Sequence, residues 1–229
     1  MQNKMPSAVV LCGGEGMRLR PLTNNVPKPL IKINKKPILY YIISHLLDSG
    51  IHDLYIATGY RSSKIEDFMK KEFKGVNYKI VNSGKVDLLK RIKDCANYIE
   101  NDFIVCYGDT ISNINLKKLI RFHKTNSKKI TITAYPLKSS FGVINLNKYN
   151  SVISFREKPV LNELINIGYF YFNHSHISLL NNRGNFLNFI NYLVKNNILK
   201  SYIHKGIHIT INTLAELEYA NDNIAKLLK

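Results

Sequence analysis

Short apolar runs alternate with stretches of helical periodicity in the first half of the chain. Four runs rich in Val, Ile and Tyr are typical of β-strands, and they cover residues 7–12, 53–58, 77–82 and 103–107. Three segments between them place apolar side chains at helical spacing, over residues 37–50, 63–73 and 88–99. Gly50 is expected to end the first helix, and Ser63-x-x-Glu66 to cap the start of the second. This order predicts an α/β fold, in which a mostly parallel sheet carries helices on both faces.

Beyond residue 128 the pattern changes, because strand-like segments follow one another with few helices between them. They cover residues 129–136, 141–146, 151–155 and 165–172, and some antiparallel pairing is expected among them. A helix over 185–196, a strand over 200–204 and a last helix to about residue 228 follow, the last one capped by Thr213-x-x-Glu216. No repeat or linker divides the sequence, so we expect a single domain of residues 1–229.

The first apolar run ends at Leu11 and leads directly into a loop that contains Gly13, Gly14 and Gly16. Glycine adopts positive φ readily, so successive N–H groups converge into a nest that binds anions. Tight turns also need glycine for structural reasons alone. However, Arg18, Arg20 and the proline-flanked Lys28 follow at once, and fixed positive charge beside such a nest favours a triphosphate. Neither the dinucleotide fingerprint nor the P-loop motif is present.

Net charge and composition exclude fewer classes of function than this loop does. The formal charge of +17 permits a nucleic-acid binder. The lysines are spread along the chain, however, and no nucleic-acid-binding motif accompanies them, so no specific nucleic acid is expected. Cys12, Cys95 and Cys106 lack metal-ligand spacing. No apolar stretch has the roughly 20 residues that span a membrane, and no signal peptide is visible. A cytoplasmic location without membrane contact is therefore expected.

A second group of polar residues follows the strand over 103–107. Ligands of open parallel sheets bind beyond the carboxyl ends of strands, so Asp109 is expected at the same edge as the glycine loop. There it either caps a turn or binds Mg²⁺ beside a triphosphate, and the shared edge favours Mg²⁺. Glu157 and Lys158 either form a solvent-exposed turn or bind the acceptor, with the lysine on its phosphate. Asn166 is placed to hydrogen-bond a ligand, whereas Lys90 and Arg91 suggest a solvated helix face.

Several motifs, in a fixed order, resemble those of the sugar-phosphate nucleotidyltransferases. They are Gly13-Gly14-x-Gly16-x-Arg18-Leu19, Pro27-Lys28-Pro29, Lys36-Pro37-Ile38-Leu39, Gly59-Tyr60, Tyr107-Gly108-Asp109 and Glu157-Lys158-Pro159. Leu89-Lys90-Arg91 and Phe141-Gly142 look closest to the glucose-1-phosphate cytidylyltransferases. The resemblance covers nearly the whole chain. It implies a Rossmann-like three-layer nucleotidyltransferase fold with a mostly parallel, mixed sheet.

The resemblance also implies roles for individual residues. Leu11, the three loop glycines and Arg18 would bind CTP, Lys28 would lie between the donor and acceptor phosphates, and Mg²⁺ would bind Asp109 and the residue at position 212. The acceptor would be held by Glu157, Lys158 and Asn166. The partners implied are CTP and a small phosphorylated metabolite, a sugar 1-phosphate by default, for capsule or surface-glycan precursors. A homo-oligomer is left open.

Some positions depart from the family pattern. Met17 stands where a hydroxyl residue is usual, and Lys85-Val86-Asp87 stands near the place of a Thr-Gly-Gly, so Asp87 is a candidate partner for the cytosine amino group. Ile167 is expected to crowd a pyranose. Asn212 replaces an aspartate of the metal site, and an amide is a poorer Mg²⁺ ligand than a carboxylate.

The reaction expected is attack of an acceptor phosphate oxygen on the α-phosphorus of CTP, with release of pyrophosphate. Two alternatives stay open at this point. The acceptor is a non-sugar phosphate such as phosphocholine or phosphoglutamine, or the chain is a noncatalytic nucleotide-binding regulator, as Asn212 suggests.

Overall fold

A computed structural model describes residues 5–126, 128–181 and 183–227. Of the expected domain of residues 1–229, positions 1–4, 127, 182, 228 and 229 lie outside the described residues. The strands are β1 Ser7–Leu11, β2 Lys32–Ile33, β3 Lys36–Pro37, β4 Asp53–Thr58, β5 Asn77–Asn82, β6 Phe103–Tyr107, β7 Thr110–Ser112, β8 Ile130–Lys138, β9 Val143–Leu146, β10 Val152–Arg156, β11 Val160–Phe172, β12 Leu199–Ile203 and β13 His208–Thr210. The α-helices are α1 Ile38–Asp48, α2 Ser62–Glu72, α3 Leu88–Ala96, α4 Leu116–Lys124, α5 Phe186–Lys195 and α6 Leu214–Leu227.

Seven strands form the central sheet, in the order β12-β8-β11-β6-β1-β4-β5. Strands β6, β1, β4 and β5 are mutually parallel, and β12 is parallel to β8. Strand β11 runs antiparallel to both β6 and β8. The sheet is therefore mixed and mostly parallel, as the alternation of strands and helices predicts.

Two apolar clusters cover the two faces of this sheet. Successive residues of β1 show the division, since Ala8 and Val10 belong to one cluster and Val9 and Leu11 to the other. Residues of α1, α2, α4 and α6 pack in the first cluster, and residues of α3 and α5 in the second. This is the expected three-layer arrangement, in which the alternate side chains of each strand bury on opposite faces.

Of the two helix starts predicted from capping motifs, one has the expected cap and the other does not. Thr213 and Glu216 form the expected reciprocal cap, because each side chain accepts from the other residue's backbone N–H, at 3.2 and 2.9 Å. The cap predicted at Ser63 is wrong, since α2 already begins at Ser62, after Arg61 in a left-handed conformation. Strand β11 begins five residues before the predicted 165.

Two short strands that the apolar pattern did not predict matter for the site. β7 follows the end of β6 directly and pairs antiparallel with β13. The N–H of Ile211 then donates to the carbonyl oxygen of Asp109 at 3.2 Å. This pairing carries Asn212 to Asp109 across about a hundred residues of sequence.

Candidate active site

The candidate site lies where the strand order of the sheet reverses. From β1 the chain proceeds through β4 to β5 on one side, and then returns to β6 on the other side of β1. Open α/β sheets bind ligands in the crevice at such a reversal, beyond the carboxyl ends of the strands. The Gly13–Gly16 loop leaves the end of β1, and Asp109 follows the end of β6. The two segments therefore share one edge, as the sequence predicts.

Glycine at position 108 allows the two strand ends to approach closely. Its N–H donates to the carbonyl oxygen of Leu11 at 3.0 Å. A Cβ added to Gly108 would lie 2.6 Å from that oxygen, which is far inside normal contact. The position therefore requires glycine, and Asp109 is fixed relative to the loop after β1.

The glycine loop borders a cavity of about 400 Å³ that extends from β1 to α3. Leu11, Gly13, Gly14, Lys28, Val86, Leu88, Arg91, Tyr107 and Asp109 contribute to its lining. Gly16 has a φ of +64° and lines a second, adjoining cavity with Met17, Arg18 and Lys85. The carbonyl of Gly16 accepts from the Thr23 hydroxyl at 2.9 Å. The cluster of predicted nucleotide-binding residues at the end of β1 thus surrounds one continuous depression.

Lys28 is the centre of a charged cluster at the junction of the two cavities. It begins a short 3₁₀ turn after Pro27, and its side chain is buried, with the residue 9% exposed. The ammonium forms an ion pair with Asp109 and donates to Oδ1 of Asn212 at 2.9 Å. Arg18 donates to the same Asn212 oxygen at 3.0 Å. The two predicted catalytic cations and the two predicted metal ligands therefore meet in one cluster.

Asn212 is held in this cluster by its backbone. Its N–H donates to the carboxylate of Glu216 at 2.7 Å, and the preceding residue, Ile211, is anchored to Asp109 as described above. The amide oxygen consequently points at two cations and carries no formal charge of its own. Among the described residues, no group of three or more His, Cys, Asp or Glu side chains is placed to hold a metal ion.

Arg91 is a site residue whose position the sequence analysis got wrong, because it is 6% exposed and not part of a solvated face. Its guanidinium donates to the carbonyl oxygens of Thr58, Gly13 and Gly84, the last two at 3.1 and 2.7 Å. Burial lowers the pKa of this guanidinium. Arg91 thus ties the glycine loop to the end of β4 and to the loop before α3.

A signal for Arg91 was present in the sequence. Leu88, Arg91, Ile92 and Cys95 recur at the i, i+3, i+4 and i+7 positions of one helix face. The position of Arg91 among these apolar residues predicts burial, whereas Lys90 lies outside that series and forms an exposed ion pair with Asp94.

Asp87, the candidate partner of a cytosine amino group, has a structural role in this conformation. Its carboxylate caps α3 by accepting from the N–H of Leu89 at 2.8 Å, and it accepts from Phe186 N–H at 2.9 Å. Asp87 does not contribute to the cavity lining in the described part of the chain. Contact with a base therefore stays a prediction that this geometry does not favour.

The predicted acceptor residues lie apart from the cavity. Glu157 and Lys158 are exposed in the turn between β10 and β11, with their charged atoms 3.9 Å apart. Asn166 on β11 is exposed, and its amide donates at 3.3 Å to the hydroxyl of Tyr107, which lines the cavity. Burial raises the pKa of Tyr107, and the hydrogen bond from Asn166 opposes that shift.

Ile167 does not take the position that was expected of it. It is 2% exposed and is not among the cavity-lining residues of the described chain, so the expectation that it crowds a sugar ring stays a prediction that this geometry does not favour. Gly168 follows with a φ of +80°, and a Cβ there would lie 2.3 Å from the ring of Tyr107. Tyr107 at the end of β6, and not Ile167 of β11, therefore lines the cavity.

Comparison with known proteins agrees with this arrangement. The sequence model of the nucleotidyl transferase family matches residues 7–186. A glucose-1-phosphate cytidylyltransferase of Salmonella typhimurium is 33% identical over 201 residues, which cover 76% of this chain and 78% of that protein. A D-glycero-alpha-D-manno-heptose 1-phosphate guanylyltransferase of Campylobacter jejuni is 33% identical over 154 residues, with 66% and 68% covered.

A solved structure gives the same result for the fold. The crystal structure of HddC from Yersinia pseudotuberculosis superposes with a TM-score of 0.76 at 24% sequence identity, over 96% of this chain and all of that one (100%). No helix in the described residues is long and apolar enough to cross a membrane. With the family match, the shared fold and the clustered phosphate-loop residues together, the chain belongs to the nucleotidyl transferase family.

Proposed function

We propose that this chain is a cytidylyltransferase that transfers CMP from CTP to a small phosphorylated acceptor of the sugar 1-phosphate type. The observation that carries the proposal is the buried Lys28, in contact with Asp109 and Asn212 beside the glycine loop. Similarity to the Salmonella cytidylyltransferase supports the nucleotide, and the Campylobacter guanylyltransferase makes GTP the rival to test.

In the proposed reaction, an acceptor phosphate oxygen attacks the α-phosphorus of CTP and forms a new P–O bond. The bond between the α-phosphorus and the bridging oxygen breaks, and pyrophosphate leaves. The second pKa of a phosphate monoester is about 6, so the acceptor is mostly ionised at neutral pH and needs no general base. The protein's task is then to position the phosphates and to neutralise charge.

Three groups of this chain suit that task. The glycine loop offers backbone N–H groups to the triphosphate. Arg18 is exposed at its border, where it donates to Asn212 and would face β- and γ-phosphate oxygens, while Lys28 lies deeper, next to the end of β6. In this assignment Lys28 neutralises the charge that develops at the α-phosphate, which preorganised donors stabilise more than the ground state.

The oxygen ligands that this chain offers suit Mg²⁺ only when the nucleotide phosphates supply further ligands. One carboxylate, Asp109, and one amide oxygen, that of Asn212, face the same point, and Mg²⁺ commonly uses one or two carboxylates with substrate phosphates and water. When bound, the ion would neutralise part of the triphosphate charge. Asp109 and Asn212 would hold it against the loop.

The test is pyrophosphate release with each of the four nucleoside triphosphates against a panel of acceptors. The panel contains glucose 1-phosphate, a heptose 1-phosphate, phosphocholine and phosphoglutamine. We expect the highest kcat/KM for CTP with a sugar 1-phosphate. Predominant turnover of GTP or UTP would contradict the cytidylyl assignment, and preference for phosphocholine or phosphoglutamine would establish the non-sugar alternative.

Lys28→Met supplies the matched variant for this assay. We expect kcat to fall by at least about 10²-fold, the effect typical of removing one transition-state charge contact, with an unchanged circular dichroism spectrum. Lys32→Met, four positions along and exposed, is the control. Binding of CTP without turnover of any pair would leave the noncatalytic regulator as the better assignment.

A further inference from the structure

The ammonium of Lys28 occupies both oxygens that could bind a divalent metal. It pairs with Oδ2 of Asp109 and donates to Oδ1 of Asn212. Arg18 takes the second lone pair of the Asn212 oxygen at 3.0 Å. The hydroxyl of Thr110 donates to the other Asp109 oxygen at 3.3 Å. Each oxygen that faces the site therefore already accepts from a protein group.

The charge balance of the surroundings also opposes a free cation. Asp109 supplies one negative charge, and Lys28 neutralises it. The remaining carboxylate near the loop, Glu15, lies 3.2 Å from Lys85 and 3.9 Å from Arg20. Mg²⁺ gives up its bound water reluctantly. A carboxylate that is already neutralised and a neutral amide would therefore not replace that water favourably.

We propose that Lys28 blocks the metal ligands in the free protein, so that a divalent ion enters only together with the nucleotide. The inference rests on the proposed function for the identity of that nucleotide. The triphosphate supplies new anionic partners for the Lys28 ammonium, which then leaves Asp109, and it supplies oxygens to the metal. Asn212 is the residue that makes this order necessary, because Lys28 and Arg18 together face the single carboxylate of Asp109 and leave the cluster with a net positive charge, which a carboxylate at position 212 would cancel.

The experiment is a titration of the nucleotide-free protein with Mn²⁺, followed by electron paramagnetic resonance of the unbound ion. For the wild type we expect no saturable binding below about 1 mM, because Lys28 neutralises the Asp109 carboxylate and a neutral amide alone binds a divalent ion weakly. Lys28→Met frees Asp109, and we expect its Mn²⁺ affinity to be about tenfold higher or more, since a unit charge in contact with the site is removed.

Two further variants separate this effect from loss of structure. Lys85→Met removes an exposed cation that borders the same cavity without contacting Asp109, and we expect less than about a threefold change. Asn212→Asp keeps Lys28 and restores a second carboxylate, so we expect saturable Mn²⁺ binding without nucleotide. Melting temperatures of all variants report whether each one folds.

When α,β-methylene-CTP, which cannot be cleaved between its α- and β-phosphorus atoms, is added, the wild-type protein should bind Mn²⁺ beyond the amount that the nucleotide binds in the absence of protein. Saturable sub-millimolar binding to the nucleotide-free wild type would overturn the proposal, and so would the absence of any gain in both Lys28→Met and Asn212→Asp. If no nucleoside triphosphate is turned over, the proposed function fails. The metal titrations of the free protein still decide the role of Lys28.

Discussion

At the scale of single residues, two adjacent glycines of the phosphate loop have different reasons to be glycine. A Cβ at Gly13 would lie 1.9 Å from the guanidinium of Arg91, whereas a Cβ at Gly14 would meet no atom within 4 Å. Gly14 borders both main cavities. Gly13 is therefore required by the protein's own packing, whereas the protein leaves room for a side chain at Gly14, in the space where we propose that the triphosphate binds.

The alanine variants of these two glycines should consequently behave differently. Gly13→Ala displaces Arg91 and leaves buried carbonyls without donors, so we expect the free energy of unfolding to fall by about 3 kcal/mol. The free energy of unfolding of Gly14→Ala should stay within about 0.5 kcal/mol of the wild-type value. Its apparent Kd for CTP should rise. Urea denaturation and nucleotide titration measure the two effects. Equal loss of stability in both variants would contradict this distinction.

The residues that sequence analysis identified best are those whose chemistry is local. The glycine loop, Lys28 and Asp109 follow strands or prolines directly, and the parallel topology alone brings them to one edge. The burial of Arg91 was not predicted because its charge was taken to indicate exposure, although its position in α3 places it on the apolar face of that helix. The contact of Asn212 with Lys28 could be expected only from family resemblance, since it depends on the β7–β13 pairing over a long sequence separation.

At the scale of elements, the hairpin of β9 and β10 is separate from the central sheet, and the turn that follows it carries two of the predicted acceptor residues, Glu157 and Lys158. It forms its own two-stranded sheet, and the Ser139 N–H donates to the Pro159 carbonyl at 2.9 Å across its base. Lys158 sits in the turn after β10 with a φ of +44°. A two-stranded unit of this kind has little stability of its own, so its side chains can be changed without affecting the sheet.

Lys158→Met tests whether this hairpin serves the acceptor. If its ammonium binds the acceptor phosphate, the KM for the acceptor should rise by about tenfold, the effect of one charge-assisted contact. The KM for CTP should stay within about twofold. Lys148→Met, on the exposed turn between β9 and β10, provides the control. A rise in the CTP KM alone would place Lys158 on the donor side instead.

The order of elements was predictable from the apolar period for most of the chain, although α4 was missed despite the helical spacing of Leu116, Leu119 and Ile120. All seven strands of the central sheet correspond to predicted strands, and α1, α2, α3, α5 and α6 to predicted helices, because strand alternation and helical spacing differ clearly over such lengths. The first part of β11, residues 160–164, was missed because its side chains are mostly exposed and its apolar residues do not alternate regularly with polar ones. The two-residue strands β2 and β3 are too short to show a period.

At the scale of the whole molecule, most of the histidines are packed into the interior or half-buried. Five of the seven show a pKa lowered by burial: His45, His123, His176, His204 and His208. His123 is representative, since its ring stacks on Tyr171 with centroids 3.9 Å apart and bonds to Thr131 at 2.9 Å. Burial, followed by the positive potential of His204, lowers the pKa of His208 to about 4.

These histidines predict how stability depends on pH. A group whose pKa is lower in the folded protein binds fewer protons there than in the unfolded chain, so stability is lost as the pH falls below the unfolded value of about 6.5. Each such histidine contributes a slope of up to about 1.4 kcal/mol per pH unit down to its folded pKa. We therefore expect the urea midpoint to fall steeply between pH 7 and pH 5. His208→Gln should flatten that profile, and His52→Gln, at an exposed position, should leave it unchanged. A profile that is level over this range for the wild type would mean that these histidines bind protons equally in the folded and unfolded states, and would contradict the lowered pKa values.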